Sequence, residues 1–169
     1  IASNILLGRE PRRGPLAIVD KARLYADAGE LAARVGITAP PTTLVEKLSP
    51  GERQLVEVAK ALSMDARILV LDEPTSSLTP TEAAKLFEVM RRLKEQRVSM
   101  IYISHRLAEV RQMCDRVIVL RDGQRVGELT REEARGKRGE TGEAHSVASM
   151  AERSGAAGSD SAPAGIAPS

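Results

Sequence analysis

Residues 68–80 read ILVLDEPTSSLTP. Four aliphatic residues, Ile68 to Leu71, run straight into two adjacent carboxylates, Asp72 and Glu73, followed by a proline and a cluster of hydroxyls. A short continuous apolar run before turn residues predicts a buried strand, covered on both faces as parallel strands usually are. The carboxylates at its end repel one another. A chain that aims two negative charges out of a buried strand is expected to bring something positive there, or something that needs a base.

Working outward from this strand, the periodicity alternates between helix and strand. Upstream, SPGERQLVEVAKALS puts Leu55, Val58, Ala59 and Leu62 on one helix face. An earlier stripe, Leu24, Ala28, Leu31 and Val35, is stopped by Gly36. Downstream, TPTEAAKLFEVMRRLKEQ predicts a helix with Ala83, Leu86, Phe87, Met90 and Leu93 inward, and VSMIYIS a second strand. RLAEVRQMC then reads as a short helix and DRVIVLRDGQRVGEL as a hairpin turning at Asp122-Gly123. Alternating strands and amphipathic helices give an α/β fold with a largely parallel sheet.

The composition narrows the function classes. A chain of 169 residues suits one domain with a fair-sized core. With aromatics at 2% and no Trp, that core must be aliphatic. A net charge of +2 with 28% charged residues gives no electrostatic case for a nucleic-acid partner. The single cysteine, Cys114, excludes an internal disulfide and reads as a small buried residue in a reducing compartment. No apolar run is long enough to span a bilayer, and the N-terminus lacks the pattern of a secretory signal. The absence of an initiator Met suggests a chain that begins inside a longer protein. Beyond Leu129 the only large aliphatic residues are Val147, Met150 and Ile166, so residues 130–169 are expected to be a disordered tail. A short helix near Ala148–Arg153 is the alternative there, and His145 reads as a surface residue.

Functional groups in open parallel sheets gather beyond the carboxyl ends of the strands. If the two strands share a sheet, Asp72, Glu73, Ser104 and His105 lie along one edge. One carboxylate can then hold Mg²⁺ through water while the other serves as general base toward an attacking water. The plainer alternative has both acids capping the loop. A neutral His105 imidazole suits contact with a phosphate or with that water. LSPGERQ, residues 48–54, also carries two readings. Ser49, Pro50 and Glu52 form a capping box, which is sufficient by itself. Alternatively, the Ser49 hydroxyl and the Gly51 N–H offer a phosphate site at the positive end of a helix. The two readings compete for the same donors.

In order and spacing, LSPGERQLVEVAKALSMDARILVLDEPTSSL closely resembles the run from signature through Walker B to D-loop in the ATP-binding-cassette (ABC) ATPases. YISHR resembles their switch histidine. The resemblance extends from about Asn4 to Leu129. NILLGREP, EPTSSLT, YISHRLAEV and VLRDG are most similar to the first nucleotide-binding domain of bacterial ribose/galactose-type importers. It implies a partial P-loop NTPase domain over residues 1–129, with a helical signature subdomain, followed by the tail at 130–169.

The resemblance also implies roles: Glu73 as general base, Asp72 supporting Mg²⁺, and His105 contacting the γ-phosphate. Ser49, Gly51 and Gln54 would face ATP held by an opposite cassette, with Ser76 to Thr79 as the D-loop. Pro50 stands where a glycine is usual, and Thr79 where an aspartate is usual. The implied cofactors are ATP and Mg²⁺. The implied partners are a second nucleotide-binding domain, membrane permease subunits and, indirectly, a periplasmic sugar-binding protein. The implied location is the cytoplasmic face of a bacterial membrane, held peripherally. No G-x-x-x-x-G-K-[ST] loop occurs in the chain, and neither the adenine platform nor the Q-loop glutamine is found. The polypeptide alone is therefore expected to be inactive. Two readings follow: the catalytic-carboxylate portion of a sugar-importer ATPase, or a truncated cassette that is inert or only binds partners.

Overall fold

Each long helix begins where the sequence supplies a cap. Asp20 caps α2 (Lys21–Arg34), its side chain accepting the Arg23 N–H. Ser49 caps α3 (Pro50–Ser63) and Thr79 caps α4 (Pro80–Glu95), each in a complete capping box with proline as the first helical residue. The proline costs nothing there, because the N–H it lacks would have had no partner within the helix. These elements belong to a computed structural model that describes residues 1–130 and 132–133. The chain divides into two units, Ile1–His105 and Arg106–Ser169.

In the first unit, α1 (Ala2–Ile5), α2 and α3 pack on one another, and α4 packs on α3. The predicted stripes supply the contacts: Leu24, Ala28 and Val35, then Leu55, Val58, Ala59 and Leu62, then Leu86, Phe87, Met90 and Leu93 are all buried. Gly36 ends the α2 stripe in the left-handed region, φ 80°, which glycine enters without steric penalty. Two short strands, β1 (Arg12–Arg13) and β2 (Ile18–Val19), form an antiparallel hairpin that the periodicity did not announce.

Strands β3 (Ile68–Asp72) and β4 (Ser99–Ile103) pair in parallel, as the α/β reading requires, with Asp72 opposite Ile103. Leu69 and Leu71 are buried, and Tyr102 of β4 meets Phe87 of α4 edge-on, ring centroids 6.4 Å apart. The expected two-sided burial of β3 does not hold. Burial alternates along the strand, and Ile68, Val70, Ile101 and Ile103 are 62%, 63%, 54% and 47% exposed. Within the described residues only one face of this pair is covered, so the side chains of the other face meet solvent although their residue types suit a core.

The second unit holds α5 (Leu107–Met113) and an antiparallel hairpin of β5 (Arg116–Arg121) and β6 (Gln124–Thr130). The hairpin turns at Asp122 and Gly123, both with positive φ (51° and 75°), as a two-residue type I′ turn demands. Its small core is Val110, Val117 and Leu129, with Cys114 and Val119 against it. Cys114 is thus half-buried, where the sequence suggested a buried site. Thr130 and Glu133 form a third reciprocal cap, the Glu133 carboxylate accepting the Thr130 N–H at 2.8 Å. The disorder expected of the tail, its alternative helix and the placement of His145 fall outside the described residues.

Candidate functional site

The residues singled out by the sequence fall into two groups. In the first, the parallel register brings the ends of β3 and β4 level, and the Glu73 N–H extends the ladder to the Ile103 carbonyl at 2.9 Å. Glu73 then takes a left-handed backbone, φ 46°, a conformation that non-glycine residues adopt at a cost of about 1–3 kcal/mol. Its carboxylate meets the residue that follows β4 by two. Glu73 Oε1 accepts the His105 backbone N–H at 3.2 Å and lies 2.7 Å from His105 Nδ1. An ionised carboxylate can only accept, so Nδ1 is the donor and Nε2 is the ring nitrogen not engaged by Glu73. The His105 side chain is 75% exposed. Arg106 is the N-cap of α5, and His105 precedes it.

The other carboxylate oxygen is in a different state. Glu73 Oε2 is buried and has no hydrogen-bond donor among the described residues. Leaving such an acceptor unsatisfied costs about 1–3 kcal/mol. Asp72 lies on the uncovered face of β3 and is exposed. It shares an open groove between α3 and β3 with Gln54, Glu57 and Lys60. Ser76, also exposed, is tied to Glu73 through the backbone, its N–H donating to the Glu73 carbonyl at 3.0 Å.

Among the described residues no group of three or more His, Cys, Asp or Glu could hold a metal ion by itself. Mg²⁺ in nucleotide sites commonly takes one or two carboxylates and completes its shell with phosphate oxygens and water. Asp72 fits that shared role and does not make a stand-alone metal site.

The second group assembles at the starts of α3 and α4. Ser49 Oγ accepts the Glu52 N–H at 3.3 Å, and Glu52 Oε2 accepts the Ser49 N–H at 3.0 Å. Thr79 and Glu82 repeat the device, with Glu82 Oε2 accepting the Thr79 N–H at 3.0 Å and its hydroxyl at 2.8 Å. Glu82 also reaches across to α3. Its Oε1 accepts the Gly51 N–H at 3.2 Å. These donors, the Thr79 N–H foremost, pull the Glu82 carboxyl from its ordinary 4.5 down to about 2. Gly51 is required by that approach. A Cβ there would lie 2.8 Å from both Cβ and Cγ of Glu82.

The sequence presents Glu82 only as the local partner of Thr79. Its crossing to Gly51, 31 residues away, leaves no periodic or local signal. The competition between capping and phosphate readings at Ser49 and Gly51 therefore gains a third party. Glu52 takes the cap at Ser49, and Glu82 takes the Gly51 N–H.

Residues 6–76, from the end of α1 through Glu73 to Ser76, match the ABC transporter family profile. Over this stretch the chain is similar to the ABC transporter family. It is 53% identical over 128 residues to the ribose import ATP-binding protein RbsA 1 of Burkholderia thailandensis, a match covering 76% of this chain and 25% of that protein. It is 44% identical over 128 residues to the galactose/methyl galactoside import ATP-binding protein MglA 1 of Photobacterium profundum, covering 76% and 26%. The chain thus spans about a quarter of the length of these ABC relatives. A crystal structure of a nucleotide-free ATP-binding cassette from an ABC transporter superposes with a TM-score of 0.68 at 25% identity, covering 79% of this chain and 56% of that one. No described helix is long and apolar enough to cross a membrane.

Proposed function

We propose that residues 1–129 are part of the ATP-hydrolysing cassette of a monosaccharide ABC importer, with Glu73 as general base. The observation that carries this reading is the divided carboxylate of Glu73, one oxygen held by His105 and the other buried without a donor among the described residues. A buried acceptor in that state suits a water to be deprotonated, and the His105 contact keeps the carboxylate turned toward it. Asp72 would support Mg²⁺, which would supply neutralisation of phosphate charge. His105, through the ring nitrogen that Glu73 leaves free, contacts the terminal phosphate. Gln54, Ser49 and Gly51 serve as signature residues toward nucleotide on an opposing cassette, and Ser76 to Thr79 as the D-loop.

The glycine-rich loop and lysine that cradle phosphates in P-loop ATPases have no counterpart in these 169 residues. Those donors come from another polypeptide segment, and the chain by itself is inert toward ATP. The partners of the completed protein are a second nucleotide-binding domain and permease subunits that hold it at the inner face of the membrane. A periplasmic sugar-binding protein acts at one remove. The names of the relatives, which are ribose and galactose import ATP-binding proteins, support the sugar class.

The test is Glu73→Gln in a cassette completed with a phosphate-loop segment. The amide keeps the shape and cannot take a proton, so ATP binding should persist while turnover falls by about 10²–10⁴-fold. Turnover within twofold of the parent would move the base role to another residue.

A further inference from the structure

Glu82 is the one singled-out acid whose contacts cross between helices, and the proposed function leaves it without a role. We infer that its carboxylate is a clasp between the signature start and the D-loop, so that the donors of Gly51 and Thr79 are held, and released, together. The inference rests on the reading of Ser49–Gly51 as signature and Ser76–Thr79 as D-loop; the geometry itself does not.

One carboxylate binds both sites. Oε2 takes the N–H and hydroxyl of Thr79 at 3.0 and 2.8 Å, and Oε1 takes the N–H of Gly51 at 3.2 Å. Both helix starts carry partial positive charge from unpaired N–H groups, and an anion placed between them serves both dipoles. A side-chain torsion that moves Oε1 away from Gly51 also moves Oε2 relative to Thr79, because the carboxylate is rigid and planar. Only glycine permits this approach, since a Cβ at position 51 would lie 2.8 Å from Cβ and Cγ of Glu82. An anion that claimed the Gly51 N–H would have to displace Glu82 and so disturb Thr79. Occupancy at one nucleotide-facing segment is thereby reported to the other within a single chain. The charged groups nearest this contact on α3 are Glu52, bound to the Ser49 N–H, and Arg53, whose guanidinium holds the Leu48 and Glu46 carbonyls.

The experiment uses the full chain, ¹⁵N-labelled, and follows the amides of Gly51 and Thr79. On acidification both should shift with one shared midpoint well below that of an ordinary glutamate. In Glu82→Gln that shared step should vanish, because a carboxamide does not titrate. Separate midpoints, or a step that survives in Glu82→Gln and so belongs to Glu52, would overturn the clasp. Hydrogen exchange of Glu82→Ala at neutral pH gives a reading free of acid unfolding. Both amides should exchange faster, by about tenfold or more for loss of a charge-assisted hydrogen bond. Acceleration confined to Thr79 would contradict the inference. A titration with inorganic phosphate separates the clasp from the functional reading. Phosphate that moves Gly51 and leaves Thr79 still refutes the clasp while sparing the signature. Phosphate that moves neither, while acid moves both, keeps the clasp and removes the signature's phosphate role.

Discussion

The acidic cluster at the ends of β3 and β4 and the one at the starts of α3 and α4 are built from similar parts and finished differently. Glu82 has its carboxylate satisfied by donors from Thr79 and Gly51, all within the chain. Glu73 has one oxygen satisfied by His105 and the other buried and without a donor among the described residues. Asp72 beside it lies exposed. The helix-start cluster is complete as a structural joint. The strand-end cluster leaves one buried oxygen without a donor among the described residues, which is what the proposed role of Glu73 requires. On the proposed reading, an acid's surroundings, more than its identity, separate the structural carboxylate from the chemical one.

The widest expected gap between the two clusters is in turnover. His105→Ala removes the ring contact to Glu73 Oε1 and frees the carboxylate to turn. In a completed cassette it should lower kcat by about tenfold to a hundredfold, the size of one hydrogen bond to a charged group. Its denaturation midpoint should stay unchanged, because the side chain is 75% exposed. A stability loss with normal turnover would put His105 on the structural side. Next comes Gly51→Ala, which sets a methyl group 2.8 Å from Glu82. Overpacking of this kind costs about 1–3 kcal/mol, against at most about 1 kcal/mol of gained helix propensity. Urea denaturation should show a net loss in the chain as it stands. A stabilised Gly51→Ala would show that the joint is looser than its distances imply.

Thr79→Ala should cost about 1 kcal/mol through the lost cap of α4, with Thr79→Ser restoring most of it. Equal stability of the alanine and serine variants would remove the cap from the account of this joint. The smallest effect is in pH. The Glu82 carboxyl is depressed from 4.5 to about 2 in the folded chain, so its stabilising contribution is complete above about pH 4.5. It should fade as the pH drops from there toward 2. The difference in urea midpoint between wild type and Glu82→Gln should shrink across that window. A difference that stayed constant with pH would mean that the carboxylate is not held as described.

What the sequence makes legible here is local. Ser49-Pro50 with Glu52, and Thr79-Pro80 with Glu82, declare helix starts through neighbours three residues apart. The stripes from Leu55 to Leu62 and from Leu86 to Leu93 declare which faces are buried. Asp72, Glu73 and His105 could be placed on one edge because two apolar strands that each end in polar residues invite parallel pairing. Contacts between distant residues leave no such mark. A run of four aliphatics in Ile68–Leu71 cannot say whether one face or both will be covered, and here Ile68 and Val70 stay open. Glu82 spends its local signature on Thr79, so its reach to Gly51 is invisible until the helices are packed. The Arg12–Val19 hairpin has strands of two residues, too short to show alternation.

The central claim is that the strand-end cluster is half of a nucleotide site. Calorimetric titration of the purified chain with Mg-ATP tests it directly. The start of α3 can offer an anion roughly 0.3–1 kcal/mol through its dipole, while micromolar binding needs about 8 kcal/mol. Asp72 and Glu73 add negative charge that an anionic ligand must face. The expected result is no saturable heat in the micromolar range, with binding and hydrolysis appearing only when a phosphate-loop segment is supplied. A micromolar, saturable isotherm from the chain alone would contradict it, because the residues described here would then suffice to hold the nucleotide.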